Sequence, residues 1–128
     1  MFNSIKSSND IRYFLEKTNS LHDGYIIGVQ YCNNGISRIA NGHLFNSEQT
    51  QLILKILVTS ISDTIVEIIF ENLLEWQIKD NQWNILDTTV MFNEQNWIVW
   101  SDDVNTNMDE LKNGSYAIAK SMKWRIVE

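Results

Sequence analysis

Apolar residues alternate with polar ones in several short segments of this chain, and polar turn residues separate one segment from the next. An alternation of period two is typical of β-strands that bury one face, and the segments are rich in β-branched and aromatic residues. The strands are not interleaved with helices, as a parallel sheet would require. The pattern therefore predicts an α+β fold that is mainly antiparallel, with about seven strands in a curled or two-layer meander and one N-terminal helix.

Local signals locate the individual elements. Residues 8–10, Ser-Asn-Asp, are helix-capping residues ahead of apolar positions spaced three and four apart, which predicts a helix at about residues 9–18. The predicted strands are 25–31, 36–40, 51–58, 64–71, 83–92, 97–100 and 116–127, with a helical turn near 108–111. Residues 33–35, Asn-Asn-Gly, favour a tight turn, so we expect residues 25–40 to form a hairpin. A second hairpin is expected across the four-residue loop before the strand 97–100.

One segment fits two structures. The apolar residues of 64–78 lie on a helical stripe, but Val66, Ile68 and Phe70 also alternate with glutamates. Because β-branched residues crowd a helix, we favour a strand for residues 64–71.

Length and composition bound the class of protein. At 128 residues, with 44% hydrophobic side chains, the chain is the size of one domain and has enough apolar material for a core. We expect one globular domain over residues 1–128. The single cysteine, Cys32, excludes an intramolecular disulfide, and we find neither a signal peptide nor an apolar run of the roughly 18–20 residues that span a bilayer. These features predict a cytoplasmic protein without a membrane partner.

Acidic residues are concentrated in the middle of the chain. The formal net charge is −6, and residues 62–111 carry eleven acidic side chains against one basic side chain, Lys79. A negative charge argues against a nucleic-acid partner, because lysine and arginine supply the affinity for phosphates. Two interpretations stay open: a solvated face that keeps the protein in solution, or a surface that attracts a basic partner.

His22 and Asp23 are the pair that most resembles a general base with its orienting carboxylate. Neighbouring residues of an extended chain point to opposite faces, so we expect the two side chains to belong to a connector and not to touch. His43 has no cysteine or carboxylate at a metal-ligand spacing, and Cys32 has no basic neighbour in sequence that would activate its thiol. Glycine-rich phosphate loops and the G-x-S-x-G hydrolase motif are absent from the sequence.

Residues 103–107 begin like a calcium-binding loop, with oxygen ligands at alternate positions. However, Met108 replaces the glycine of the sharp turn, and Gly114 replaces the bidentate glutamate. The sequence therefore predicts no metal, no cofactor and no catalytic residue, and we expect that the protein is not an enzyme.

The tryptophans suggest a binding surface. Trp97 and Trp100 lie three residues apart on one predicted strand, so they face opposite ways and at least one is expected to be partly exposed. An exposed aromatic side chain beside acidic residues is a typical binding anchor. The predicted partner-binding residues are Glu94, Trp97, Trp100, Asp102, Asp103, Asp109 and Glu110.

Three short segments carry a resemblance to known proteins. They are Leu-His-Asp at 21–23 leading into the strand 25–27, the apolar strand 65–70, and Met-Lys-Trp-Arg at 122–125. Their order resembles that of small, uncharacterised, β-rich bacterial proteins, some of which are similar to immunity proteins that neutralise the toxins of neighbouring cells. The resemblance spans most of the chain, although its motifs are short and apolar. It implies a β-rich fold and toxin binding, and it transfers no catalytic residue.

Three functions stay open. The leading one is a protein-binding module of the immunity type, whose acidic middle section covers the basic active site of a toxin. The second is a structural or regulatory module that assembles with itself or with a cellular partner through an exposed strand edge or its tryptophans. The third is an enzyme or small-ligand binder with a pocket that converges on His22, His43 or Cys32.

Overall fold

The computed structural model describes residues 1–79, 84–104 and 108–127, without the side chain of Ser47. This part of the chain contains one α-helix, α1 at Ser8–Lys17, and nine strands. The strands are β1 Asn3–Ser4, β2 Gly24–Asn33, β3 Ile36–Ile39, β4 Gly42–Phe45, β5 Thr50–Val58, β6 Thr64–Gln77, β7 Thr89–Phe92, β8 Ile98–Ser101 and β9 Tyr116–Val127. Short 3₁₀ helices lie at Asn19–Leu21, Ser47–Gln49, Thr59–Ile61 and Met108–Asn113. The predicted α+β fold, mainly antiparallel with an N-terminal helix, is confirmed. None of the helices within these ranges has the length and apolarity needed to cross a bilayer.

Seven of the strands form one antiparallel sheet. Its order is β2-β5-β6-β9-β8-β7, and β1 pairs with the end of β9. The ambiguous segment 64–78 forms β6, which pairs with β9 along almost its whole length. β8 pairs with the first part of β9 and β1 with its last part, so β8 and β1 share one side of that strand. β2 and β7 are consequently the edges of the sheet.

The main apolar core lies against one face of this sheet. Along β5 the even-numbered residues from Leu52 to Val58 are fully buried, while the residues between them are more exposed. This is the period-two pattern of a strand that buries one face. Helix α1 covers part of the core, since Phe14 is fully buried and its ring meets that of Trp124 edge-on at a centroid distance of 5.2 Å.

Helix α1 begins one residue earlier than predicted. The Ser7 hydroxyl accepts a hydrogen bond from the Asp10 amide at 3.3 Å, and the Asp10 carboxylate accepts one from the Lys6 amide at 2.9 Å. These two bonds satisfy backbone amides that have no partner within the helix. Beyond the last turn, the Thr18 hydroxyl donates to the Phe14 carbonyl at 2.7 Å.

A second, smaller apolar cluster lies on the other side of β8 and β9. Its buried members are Val99, Leu111, Tyr116 and Ile118, with Met91 and Trp97 partly buried at its border. The 3₁₀ helix Met108–Asn113, at the helical turn predicted near 108–111, contributes Leu111. All four residues of β8 are buried, so this strand separates the two clusters.

The predicted hairpin over residues 25–40 is wrong. β2 pairs with β5, β3 pairs with β4, and the tight turn lies at residues 40–41. Gly35 serves a different purpose, because a Cβ at this position would clash with the backbone carbonyl of Asn46. The Asn46 amide donates to the Gly35 carbonyl at 2.8 Å across this close approach. β3 and β4 therefore form a hairpin that extends from the ends of β2 and β5, and we call residues 36–45 the arm.

The predicted strand 83–92 is also wrong over most of its length. Strand structure is continuous only in β7. The sequence Lys-Asp-Asn at 79–81 favours a turn before this segment, but residues 80–81 and residue 83 lie outside the described residues. Ile85 makes an isolated bridge to Gly24, in which its amide donates to the Gly24 carbonyl at 2.7 Å. The Thr88 amide also donates to the Ser20 carbonyl at 3.0 Å. We call residues 84–88 the strap, since these bonds tie them to the connector before β2.

Replacing Trp100 tests how much the core depends on β8. Trp100 is fully buried and its ring lies 6.0 Å from that of Phe70, so Trp100→Ala should lower the free energy of unfolding by about 3–5 kcal/mol. The indole N–H has no hydrogen-bond partner among the described residues, so Trp100→Phe loses volume but no hydrogen bond and should cost clearly less. Urea unfolding followed by circular dichroism measures both changes. Equal losses for the two variants would contradict a packing role.

Candidate interaction surface

β2 is a ten-residue strand at the edge of the sheet. Its inner side pairs with β5 from Gly24 to Asn33. On its outer side, the isolated bridge from Gly24 to Ile85 is the one pairing within the described residues. Backbone amides and carbonyls point alternately to the two sides of a strand, so those on the outer side after Gly24 face away from the sheet. We call residues 25–33 the free edge.

The free edge has neither a charged residue nor a proline. Natural edge strands are commonly protected by charges, proline, a bulge or short length. Here the protection is a bulge, because the register with β5 shifts between Ile26 and Gly28. Four large side chains of the free edge are 45–53% exposed: Tyr25, Ile27, Val29 and Tyr31. Apart from this bulge, the edge is long, apolar and open to pairing with another strand.

The arm continues the free edge as an exposed hairpin. All residues of β3 and β4 are exposed to solvent. Its large apolar side chains are 42–59% exposed: Ile36, Ile39, Leu44 and Phe45. A two-stranded hairpin that buries little surface is only marginally stable in water. A partner that covered the arm would therefore stabilise it.

A pair of stacked aromatic rings adjoins the free edge. Tyr31 and Trp76 lie at a centroid distance of 5.7 Å with an interplanar angle of 15°. Trp76 is 37% exposed, and Leu74 on the same strand is 39% exposed. The tryptophan that this surface presents is therefore Trp76, which was not among the predicted partner-binding residues.

Two of the predicted partner-binding residues, Trp100 and Asp102, have contacts within the fold. Trp100 is fully buried in the main core, so its prediction as a surface anchor is wrong. Asp102 is partly buried, and its carboxylate accepts a hydrogen bond from the Ser115 amide at 3.1 Å. Burial raises the pKa of Asp102. This carboxylate therefore contributes to the fold between β8 and β9.

The other predicted partner-binding residues remain at the surface: Glu94, Trp97, Asp103, Asp109 and Glu110. Trp97 and Glu110 are partly buried, and the rest are exposed. Glu94 lies in the turn before β8, whereas Asp103 follows the opposite end of that four-residue strand, which is about 13 Å long at the strand rise. The predicted acidic surface is therefore divided between the two ends of β8.

His22 and Asp23 do touch, contrary to the prediction. Asp23 has a φ of 57°, which takes the chain out of the extended conformation, and its carboxylate lies 3.7 Å from His22 Nε2. His22 Nδ1 lies 2.5 Å from the Leu86 carbonyl oxygen and 3.6 Å from the Asp87 carboxylate, both in the strap. The hydrogen bond to Leu86, with the negative charges of Asp23 and Asp87, raises the pKa of His22. His22 therefore holds the strap more strongly when it is protonated.

The raised pKa of His22 predicts a pH-dependent stability. The unfolded chain has the ordinary value of 6.5 and the folded chain a higher one, so the folded state binds more protons between the two. The contribution of protonated His22 to the free energy of unfolding is complete below pH 6.5, and it is lost as the pH rises through the folded-state pKa. We expect the difference in Tm between the unaltered protein and His22→Gln to shrink over this range. Asp87→Asn, which removes one of the charges, should weaken the dependence, and a difference that is constant with pH would contradict the ion pairs.

The groups invoked by the enzyme hypothesis lie on separate elements. His22 is in the connector before β2, Cys32 is in β2, and His43 is in the arm. Two surface depressions of about 490 and about 200 Å³ are lined by other residues. Within residues 1–79, 84–104 and 108–127, no group of three or more His, Cys, Asp or Glu side chains could hold a metal ion. Residues 105–107 of the segment that begins like a calcium-binding loop lie outside these ranges.

No protein-family model, curated protein or solved structure matches this chain. Its exposed surfaces are consequently the basis for assigning a function.

Proposed function

We propose that this protein is a protein-binding module that takes up a strand of its partner along the free edge of β2. The observation that carries the proposal is the free edge itself. It is uncharged and lined by exposed apolar side chains, and its outer side has no strand partner beyond Gly24 within the described residues. In strand addition, backbone hydrogen bonds supply affinity and alternate side chains supply specificity.

The side chains of the free edge extend the main core to the rim of the sheet. Val29 and Tyr31 stand opposite Leu54 and Leu52 of β5, and directly opposed residues of antiparallel strands lie on the same face. Because Leu52 and Leu54 are fully buried, a partner strand at the free edge would continue this apolar face beyond β2. Its side chains would also meet the ring pair of Tyr31 and Trp76.

A charge placed in the free edge tests the proposal. We expect Val29→Lys to abolish capture of a partner from the native host's lysate, because binding would bury an uncompensated ammonium group. Mass spectrometry of the retained proteins provides the measurement. Val104→Lys is the matched control, because it makes the same substitution at a 61% exposed valine outside the free edge. Partners retained equally by both variants would show that binding occurs elsewhere.

A second candidate function is binding of a basic toxin, as the resemblance to immunity proteins implies. Asp103 and Asp109 are exposed, and both lie in the acidic part of the chain, while Trp97 is partly buried at the border of the second cluster. Opposite charge speeds the encounter of two proteins and suppresses wrong partners. This proposal is independent of the free edge, and the two make different predictions about salt.

Neutralising the two aspartates tests the second candidate. With a basic captured partner, Asp103→Asn combined with Asp109→Asn should lower the association rate, and added salt should lower the rate of the unaltered protein. Surface-binding kinetics at two ionic strengths measure both effects. Glu16→Gln with Asp63→Asn removes the same charge at exposed residues elsewhere and serves as the control. A rate that is independent of salt and unchanged by the first pair would count against a basic partner.

A further inference from the structure

We infer that the strand taken up at the free edge is β2 of a second copy of this chain, paired antiparallel about a two-fold axis near Val29. This inference rests on the proposed function and names its partner. An antiparallel pair of identical strands is the self-complementary arrangement that closed two-fold dimers require.

The charge distribution favours a second copy at this edge. Two molecules with a net charge of −6 repel one another over most of their surfaces. Residues 24–33 carry no charge, so two copies can approach along them without opposing like charges. A strongly acidic partner strand would find only Lys55 of β5, which lies opposite Gly28, as a basic side chain paired with this stretch, and a basic strand would find no counter-charge in it. The edge therefore matches another uncharged, apolar strand, and β2 itself has these properties.

The sequence of the free edge is also compatible with antiparallel pairing to an identical strand. Val29 is the midpoint of residues 25–33, so antiparallel pairing that uses the whole free edge sets Val29 opposite Val29 of the second copy. Tyr31 then faces the bulge of the other copy between Ile26 and Gly28, where Ile27 lies, and this contact occurs twice by symmetry. β-Branched and aromatic residues opposite one another stabilise antiparallel pairs. All of these side chains are about half exposed in one copy, so pairing would cover them.

The arms give a second reason to prefer a whole second copy to a single strand. Each arm begins beyond Asn33, the residue at the far end of the free edge. In the antiparallel arrangement, each arm extends past Gly24 of the other copy, towards the strap. Leu86 of the strap is 62% exposed and Tyr25 is 46% exposed, so this region offers apolar side chains to the arm beside the charged Asp23 and Asp87. A second copy therefore covers both the free edge and the arm.

The test is the association state of the protein in solution, measured by sedimentation equilibrium. We expect a dimer that dissociates on dilution. Val29→Lys and Val29→Glu should each raise the dissociation constant about tenfold or more, since each opposes two like charges at the axis. Mixing the two variants should restore a heterodimer. Val104→Lys should leave the dissociation constant unchanged, and circular dichroism checks that each variant folds.

Hydrogen exchange of the unaltered protein gives a measurement that needs no variant. Amides in residues 25–33 should be more protected at high protein concentration than at low concentration, because outward amides become paired in the dimer. A monomer at every concentration, or a dimer that Val29→Lys leaves intact, would overturn the inference. Failure of the mixed variants to associate would contradict the placement of the two-fold axis at Val29.

These outcomes separate the inference from the proposed function. A monomer whose capture of another protein is abolished by Val29→Lys would remove the second copy as partner and leave strand addition standing. A monomer whose captured proteins are unaffected by Val29→Lys would remove both.

Discussion

The pairing of β6 with β9 is the constraint on which the rest of the sheet depends. These are the two longest strands among the described residues, and their register runs from Ile65 opposite Val127 to Gln77 opposite Tyr116. β9 has one side left, and β8 and β1 share it. β6 has its other side filled by β5, and β5 in turn is covered by β2. This order leaves ten-residue β2 at one edge and four-residue β7 at the other.

Local periodicity was sufficient to predict most elements, because a strand that buries one face repeats its apolar residues every second position. It was insufficient to predict which strands pair. Residues 33–35 have the sequence of a tight turn, yet Gly35 is needed where two backbones approach closely beside Asn46. Glycine suits both situations, since both exclude a Cβ. Long-range pairing of β2 with β5 decides between them, and no local pattern contains that information.

The candidate site was predictable only in part for related reasons. The odd spacing of Trp97 and Trp100 indicates that they face opposite ways, but the choice of the buried one depends on which face of β8 meets the main core. The contact between His22 and Asp23 depends on a positive φ at Asp23, whereas alternation assumes an extended chain. The free edge left one signal in the sequence, namely the absence of charge over residues 24–33. This signal indicates an open edge only in combination with the position of β2 at the end of the sheet, which depends on long-range pairing.

An uncharged, apolar strand edge favours unlimited association unless something ends it. Pairing of two free edges about a two-fold axis would shield both edges from solvent and join the two sheets. The outer edges of the joined sheet are then the two copies of β7, which is four residues long and lies against α1. Short edges covered by other elements are poor templates for a further strand. In the inferred dimer, the same topology that exposes β2 would therefore limit strand addition at the edges of the main sheet to two copies, and the acidic residues of the rest of the surface would keep such pairs apart.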